Sequence, residues 1–130
     1  MSKIIAVTSG KGGTGKSTVC AGLGYTLAKQ GHRTLLIELD FGLRCLDIMF
    51  GMENDIKNDL GDVLSGKKQA LDAVSSVPMA ANLNILCAPK NLVSVLIREI
   101  HVSTSTVVCF SDSSSADSLS IFSVSSCCSV

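Results

Sequence analysis

Lys11 and Lys16 stand five residues apart in SGKGGTGKST, residues 9–18. Around them are Gly10, Gly12, Gly13 and Gly15, with hydroxyls at Thr14, Ser17 and Thr18. Glycines let backbone N–H groups turn toward one point, where side chains would block the approach and positive φ is needed. A helix that starts at such a point adds free N–H groups and the positive end of its dipole. The chemistry favoured is the binding of an anion, with a lysine as its cation.

The neighbouring elements must hold that loop. KIIAV, just before it, is a short apolar run fit for a strand buried on both faces. From Ser17 to Gln30 the apolar positions Val19, Cys20, Leu23, Leu27 and Ala28 recur at helical spacing, and Gly31 suits a left-handed C-terminal residue. RTLLIEL predicts a second strand and NLNILCAP a third, ended by Pro89. DFGLRCLDIMFG predicts a loop turning helical, and NDLGDVLSGKKQALDAV two short helices broken near Gly66. Strands alternating with helices argue for an α/β fold with a parallel sheet, right-handed crossovers and flanking helices. In that setting GKGGTGKS, residues 10–17, satisfies the Walker A pattern. The expected ligand is a nucleoside triphosphate with Mg²⁺, cradled by residues 10–18. Lys16 would reach the β- and γ-phosphates, and the Ser17 hydroxyl would serve the metal.

Composition sets the limits. Net charge is zero over 130 residues, so no basic field suggests a nucleic-acid partner. No apolar run approaches a membrane span, and the N-terminal run ends too soon for a secretory signal. The six cysteines lack ligand spacing and read as reduced thiols. Residues 1–90 hold 18 of the 22 charged side chains and both prolines, whereas residues 91–130 hold 13 serines and no glycine. The latter stretch reads as a low-complexity, irregular tail, with TVVCF and SIFSV as candidate edge strands. The boundary is placed at residues 92–93. His32 and His101 have no carboxylate constellation and read as surface residues.

The second lysine is the sharper clue. KGGTGKST resembles the deviant Walker A motif of the MinD/ParA superfamily of P-loop ATPases. In that group the early lysine reaches the partner's phosphates across an ATP-dependent homodimer, which implies that role for Lys11. ELDFGLRCLDIMFGMEN, residues 38–54, is similar to the MinD pattern at Asp40, Gly42, Leu43, Arg44, Leu46, Asp47 and Gly51. Glu38 stands where that family usually has Asp, and Cys45 where it usually has Asn. The resemblance covers residues 2–92 and implies ATP and Mg²⁺ as cofactors. It also implies Lys11, Lys16 and Asp40 as catalytic groups, with Ser17 and Asp40 at the metal. Arg44 and Asp47 would order the loop or meet a partner, and Met49, Phe50 and Met52 would pack.

The resemblance further implies a role in septum placement and cell division, division-site regulators as partners, and a cytoplasmic protein peripheral to the inner membrane face. The family's Asp-x-Pro-Ala-Gly motif does not occur in residues 91–130, where Asp112 lacks the following Pro and Gly. The membrane-binding basic helix of the family is not in the sequence either. The expectation is therefore the N-terminal half of such a fold, truncated, with ATP hydrolysis left open. A shifted reading frame or a misassigned gene end would produce the change of texture. The alternatives are a ParA-type partitioning ATPase and a nucleotide-binding fragment without turnover.

Overall fold

The computed structural model describes residues 2–9, 11–40, 43–90, 105–111 and 119–125. Gly10, Gly42, His101, Asp112 and the Cys127–Cys128 pair lie outside the described residues. The chain runs β1 (Ser2–Thr8), α1 (Lys16–Lys29), β2 (Arg33–Glu38), α2 (Leu46–Met49), α3 (Leu60–Leu64), α4 (Ala70–Ala73), β3 (Ser75–Ser76), β4 (Leu83–Leu86), β5 (Ser105–Ser111) and β6 (Leu119–Ser125). The six strands form one sheet in the order β3-β4-β2-β5-β1-β6.

β2 pairs with β4 in parallel, and β1 with β6 in parallel. β5 lies between β1 and β2, antiparallel to both, so β1 and β2 run in the same direction. One row across the sheet carries Phe122, Ile5, Val108, Leu36 and Ile85 as successive Cα partners. Both candidate strands of the serine-rich stretch are present. β6 sits at the edge as expected, whereas β5 takes an interior place. A strand lodged between β1 and β2 pairs the N–H and C=O groups that each would otherwise leave open.

β2 shows why helices flank the sheet. Thr34, Leu36 and Glu38 are buried in alternation with half-buried Leu35 and Ile37. Leu36 joins a cluster with Cys20, Ala21 and Ala28 of α1, Leu46, Phe50, Leu83 and Ile85. Leu35 and Ile37 pack against Leu60, Ala73 and Leu86. The stripe that α1 buries is made of small residues: Cys20, Ala21, Gly24 and Ala28. A Cβ at Gly24 would stand 2.7 Å from Leu36 Cδ2, so the helix lies close on the sheet. The expected stripe is corrected at Val19, which is 58% exposed, and the packing group at Met49, which is exposed while Phe50 and Met52 are buried. The helical spacing was right, but the small residues take the contact because they let the backbone approach.

β1, β2 and β4 all end at the same edge of the sheet. That edge therefore carries the glycine loop after Thr8, the stretch after Glu38 and the segment Cys87–Pro89. Ligands of open α/β sheets bind beyond the C-terminal ends of such strands. Among the described residues no helix is long and apolar enough to cross a membrane.

Candidate nucleotide site

The loop after β1 is closed by hydroxyls. Ser9 Oγ donates to the carbonyl of Lys11 at 2.8 Å and lies 2.9 Å from Thr14 Oγ1. Thr14 Oγ1 also reaches the Lys11 carbonyl, at 3.4 Å. Gly13 and Gly15 have φ of 76° and 86°, a region that costs other residues strain. Gly15 is the N-cap of α1 and supplies no side-chain hydrogen bond, and the first turn of α1 holds no acidic residue. The helix thus starts with its donors uncapped by its own side chains and no negative charge to oppose an incoming one.

Lys16 opens α1, buried to 9% exposure. Its Nζ donates to Ser9 Oγ at 3.0 Å, so the ammonium folds back across the loop. Ser17 is half-buried beside it, while Lys11, Gly12, Thr14 and Thr18 are exposed. A Cβ added at Gly12, Gly13 or Gly15 would meet nothing within 4 Å. Protein packing therefore does not demand glycine at those positions. The space beside them is open.

Asp40, half-buried, lies two residues beyond β2. Burial pushes the Cys45 thiol's pKa up, the charges of Glu38, Asp40 and Asp47 push it further, and Lys16 pulls it down. β1 and β2 end at one edge of the sheet, so the segments that carry Lys16 and Ser17 and the segment that carries Asp40 leave from the same edge. Gly10 lies outside the described residues. Lys11 is exposed.

Sequence reasoning named Arg44 and Asp47 but passed over Asp59. Arg44 and Asp47 pair at 2.7 Å with side chains 8% and 3% exposed, and Arg44 also reaches Asp59 at 3.8 Å. Asp59 caps α3 by accepting from the N–H groups of Gly61 and Asp62, with Asp62 returning a bond to Asp59 N. Asp59 Oδ2 further accepts from Lys90 N at 3.3 Å. One carboxylate thus ties together the loop after β2, α3 and the segment after β4. Its signal was legible as a capping-box spacing, Asp59 to Asp62. Arg44 and Asp47, expected to order the loop or meet a partner, pair with each other. Ser9 as the partner of Lys16 had no sequence signal beyond its hydroxyl.

The model of the CobQ/CobB/MinD/ParA nucleotide binding domain matches residues 5–121. The chain belongs to that family. Within it, the septum site-determining protein MinD of Thermotoga maritima is 47% identical over 88 residues, which are 68% of this chain and 32% of that protein. MinD from Pyrococcus horikoshii OT3, solved in complex with Mg-ADP, superposes with a TM-score of 0.62 at 33% identity, covering 69% of this chain and 35% of that one. MinD in the MinC:MinD cell division complex of Aquifex aeolicus gives a TM-score of 0.59 at 41% identity, covering 69% and 36%. The chain spans about a third of the length of these MinD proteins. These relatives place it with MinD, over part of the family's α/β fold, and favour MinD over a ParA-type partitioning protein.

Proposed function

We propose that the chain binds ATP with Mg²⁺ through residues 10–18, as the phosphate-binding part of a MinD-type ATPase of septum placement. The observation that carries this reading is the buried Lys16, folded across a positive-φ glycine loop at the uncapped start of α1. The Mg-ADP complex of the Pyrococcus horikoshii relative supports the same ligand class. The cradle and Lys16 hold the phosphates, and Ser17 and Asp40 are the groups offered to Mg²⁺. When bound, the metal would offset phosphate charge. Asp40 would orient water near the transferable phosphate, and Lys11 would serve the nucleotide of a second copy.

A homodimer formed on ATP and a division-site regulator are the proposed partners. The MinC complex of the Aquifex aeolicus relative supports the latter. The proposed place of action is the cytoplasm, at the inner face of the cell membrane. The residues responsible for binding are proposed to lie within residues 1–92, on a sheet that β5 completes between β1 and β2. Titration calorimetry with ATP and Mg²⁺ tests the binding, and phosphate release tests turnover. Saturable binding lost in Lys16→Ala is expected. No binding in the unsubstituted chain would overturn the reading, and binding without phosphate release would leave a nucleotide-binding fragment.

A further inference from the structure

Ser9 directly follows β1 and is half-buried. Its hydroxyl meets three groups of the loop after it. Oγ donates to the Lys11 carbonyl at 2.8 Å, lies 2.9 Å from Thr14 Oγ1 and accepts from Lys16 Nζ at 3.0 Å. The first two contacts close the loop on itself. The third holds the end of the side chain that opens α1. A hydroxyl carries one proton and two lone pairs. With the Ser9 proton on the Lys11 carbonyl, Thr14 and Lys16 both meet Ser9 Oγ as donors. One oxygen thus joins the closure of the loop to the placing of its buried lysine.

We propose that Ser9 is a positioning residue, which holds the Lys16 ammonium across the loop before an anion arrives. The proposal rests on the nucleotide reading for what Lys16 serves, but not for the Ser9–Lys16 bond itself. The helix fixes the backbone of Lys16, yet a long, flexible side chain keeps its rotamer freedom until its end is bound. Ordering that side chain only when a phosphate arrives costs affinity, and ordering it beforehand removes the cost. A serine hydroxyl suits the task because it is neutral. It takes one of the three donors of an ammonium and leaves the positive charge for the anion. A carboxylate in its place would hold the lysine by charge and repel the phosphates that the lysine is to meet.

The test uses the full chain with Ser9→Ala, Ser9→Thr and Lys16→Ala. In the nucleotide-free protein, lysine acetylation by a water-soluble active ester is followed by mass spectrometry, with exposed Lys67 as the internal reference. Freed from its acceptor in Ser9→Ala, Lys16 is expected to label roughly threefold faster or more relative to Lys67. Ser9→Thr, which keeps the hydroxyl, should stay near the parent rate. ADP affinity should fall about tenfold in Ser9→Ala, with the urea midpoint unchanged, and Ser9→Thr should retain it. On the Lys16→Ala background, Ser9→Ala should cost no further affinity, because its effect passes through the lysine. Unchanged Lys16 labelling in Ser9→Ala would overturn the proposal. A loss of affinity that persists on the Lys16→Ala background would also overturn it, assigning Ser9 to loop closure alone. So would a lowered urea midpoint with Lys16 and Lys67 labelled alike, since Ser9 would then be a general folding residue. Absence of ADP binding in the unsubstituted chain would sink the nucleotide reading, and the labelling would still decide the bond.

Discussion

Cys45 donates its backbone N–H to Glu38 Oε1 across 2.7 Å, and these two residues are the two departures from the MinD pattern in this loop. The departures are thus in contact. Cys45 is the N-cap of α2 and offers no side-chain cap; its Sγ turns instead to the carbonyl of Leu43 at 3.1 Å. Glu38 supplies, from the sheet, an acceptor at a helix start that the cap residue itself does not.

That relationship predicts the effect of restoring a capping side chain. Asparagine is among the strongest N-cap residues, and replacing a good cap by a non-capping residue costs about 0.5–2 kcal/mol. Cys45→Asn is expected to gain toward the lower end of that range. Urea unfolding at pH 7 measures it; an unchanged midpoint would show that Glu38 already satisfies this helix start.

The two lysines should differ in kind. Loss of a charge-assisted contact costs on the order of 1.5–3 kcal/mol, about ten- to hundredfold in affinity. Lys16→Ala should show that loss for ATP. Lys11→Ala, at an exposed position, should leave binding by one chain nearly intact and abolish self-association driven by a non-hydrolysable ATP analogue. Titration beside sedimentation separates them, and equal loss of affinity in both variants would assign Lys11 to its own chain's nucleotide.

Arg44 and Asp47 are buried together, so removing one strands the other. Breaking a buried ion pair costs about 3–5 kcal/mol, whereas replacing both partners by apolar residues is far milder. Asp47→Leu alone should therefore lower the unfolding midpoint sharply. Arg44→Leu with Asp47→Leu should lose much less than the sum of the single changes. Additive losses in denaturant unfolding would argue against the coupling.

Cys87 gives stability an alkaline limb. Burial pushes its thiol pKa up to about 12, with Glu38 and Asp47 adding to the rise and Arg44 opposing it. The unfolded thiol ionises near its ordinary value, lower than the folded one, so between the two the native state holds more protons. Stability conferred by this group is complete below the ordinary thiol range and falls as pH rises toward about 12. Cys87→Ala should be destabilised at neutral pH by the lost packing, and its stability should fall less steeply than the parent's between pH ~9 and ~11. Parallel curves would contradict the assignment.

The local features were legible in the sequence because they depend on neighbours along the chain. The strand before the glycines, the helix after them and the left-handed Gly31 follow from apolar spacing and from what glycine permits. The break near Gly66, at positive φ, has the same origin. The loop lysine and its hydroxyls could be named for the same reason: one short segment carries the whole Walker A pattern.

Tertiary structure decided what depends on residues far apart in sequence. No periodicity says that β5 enters between β1 and β2, because strand order is a matter of which backbone edges find one another. Nor does it say that Gly24, rather than Val19, faces the sheet, which the closeness of Leu36 settles. In the sequence Glu38 stood only as a longer carboxylate where the family usually has Asp. Only the return of the chain at Cys45 and Leu46 shows that its extra length reaches two N–H groups and holds the loop against the sheet. A buried carboxylate is costly unless donors come to meet it, and where those donors come from is fixed by the fold.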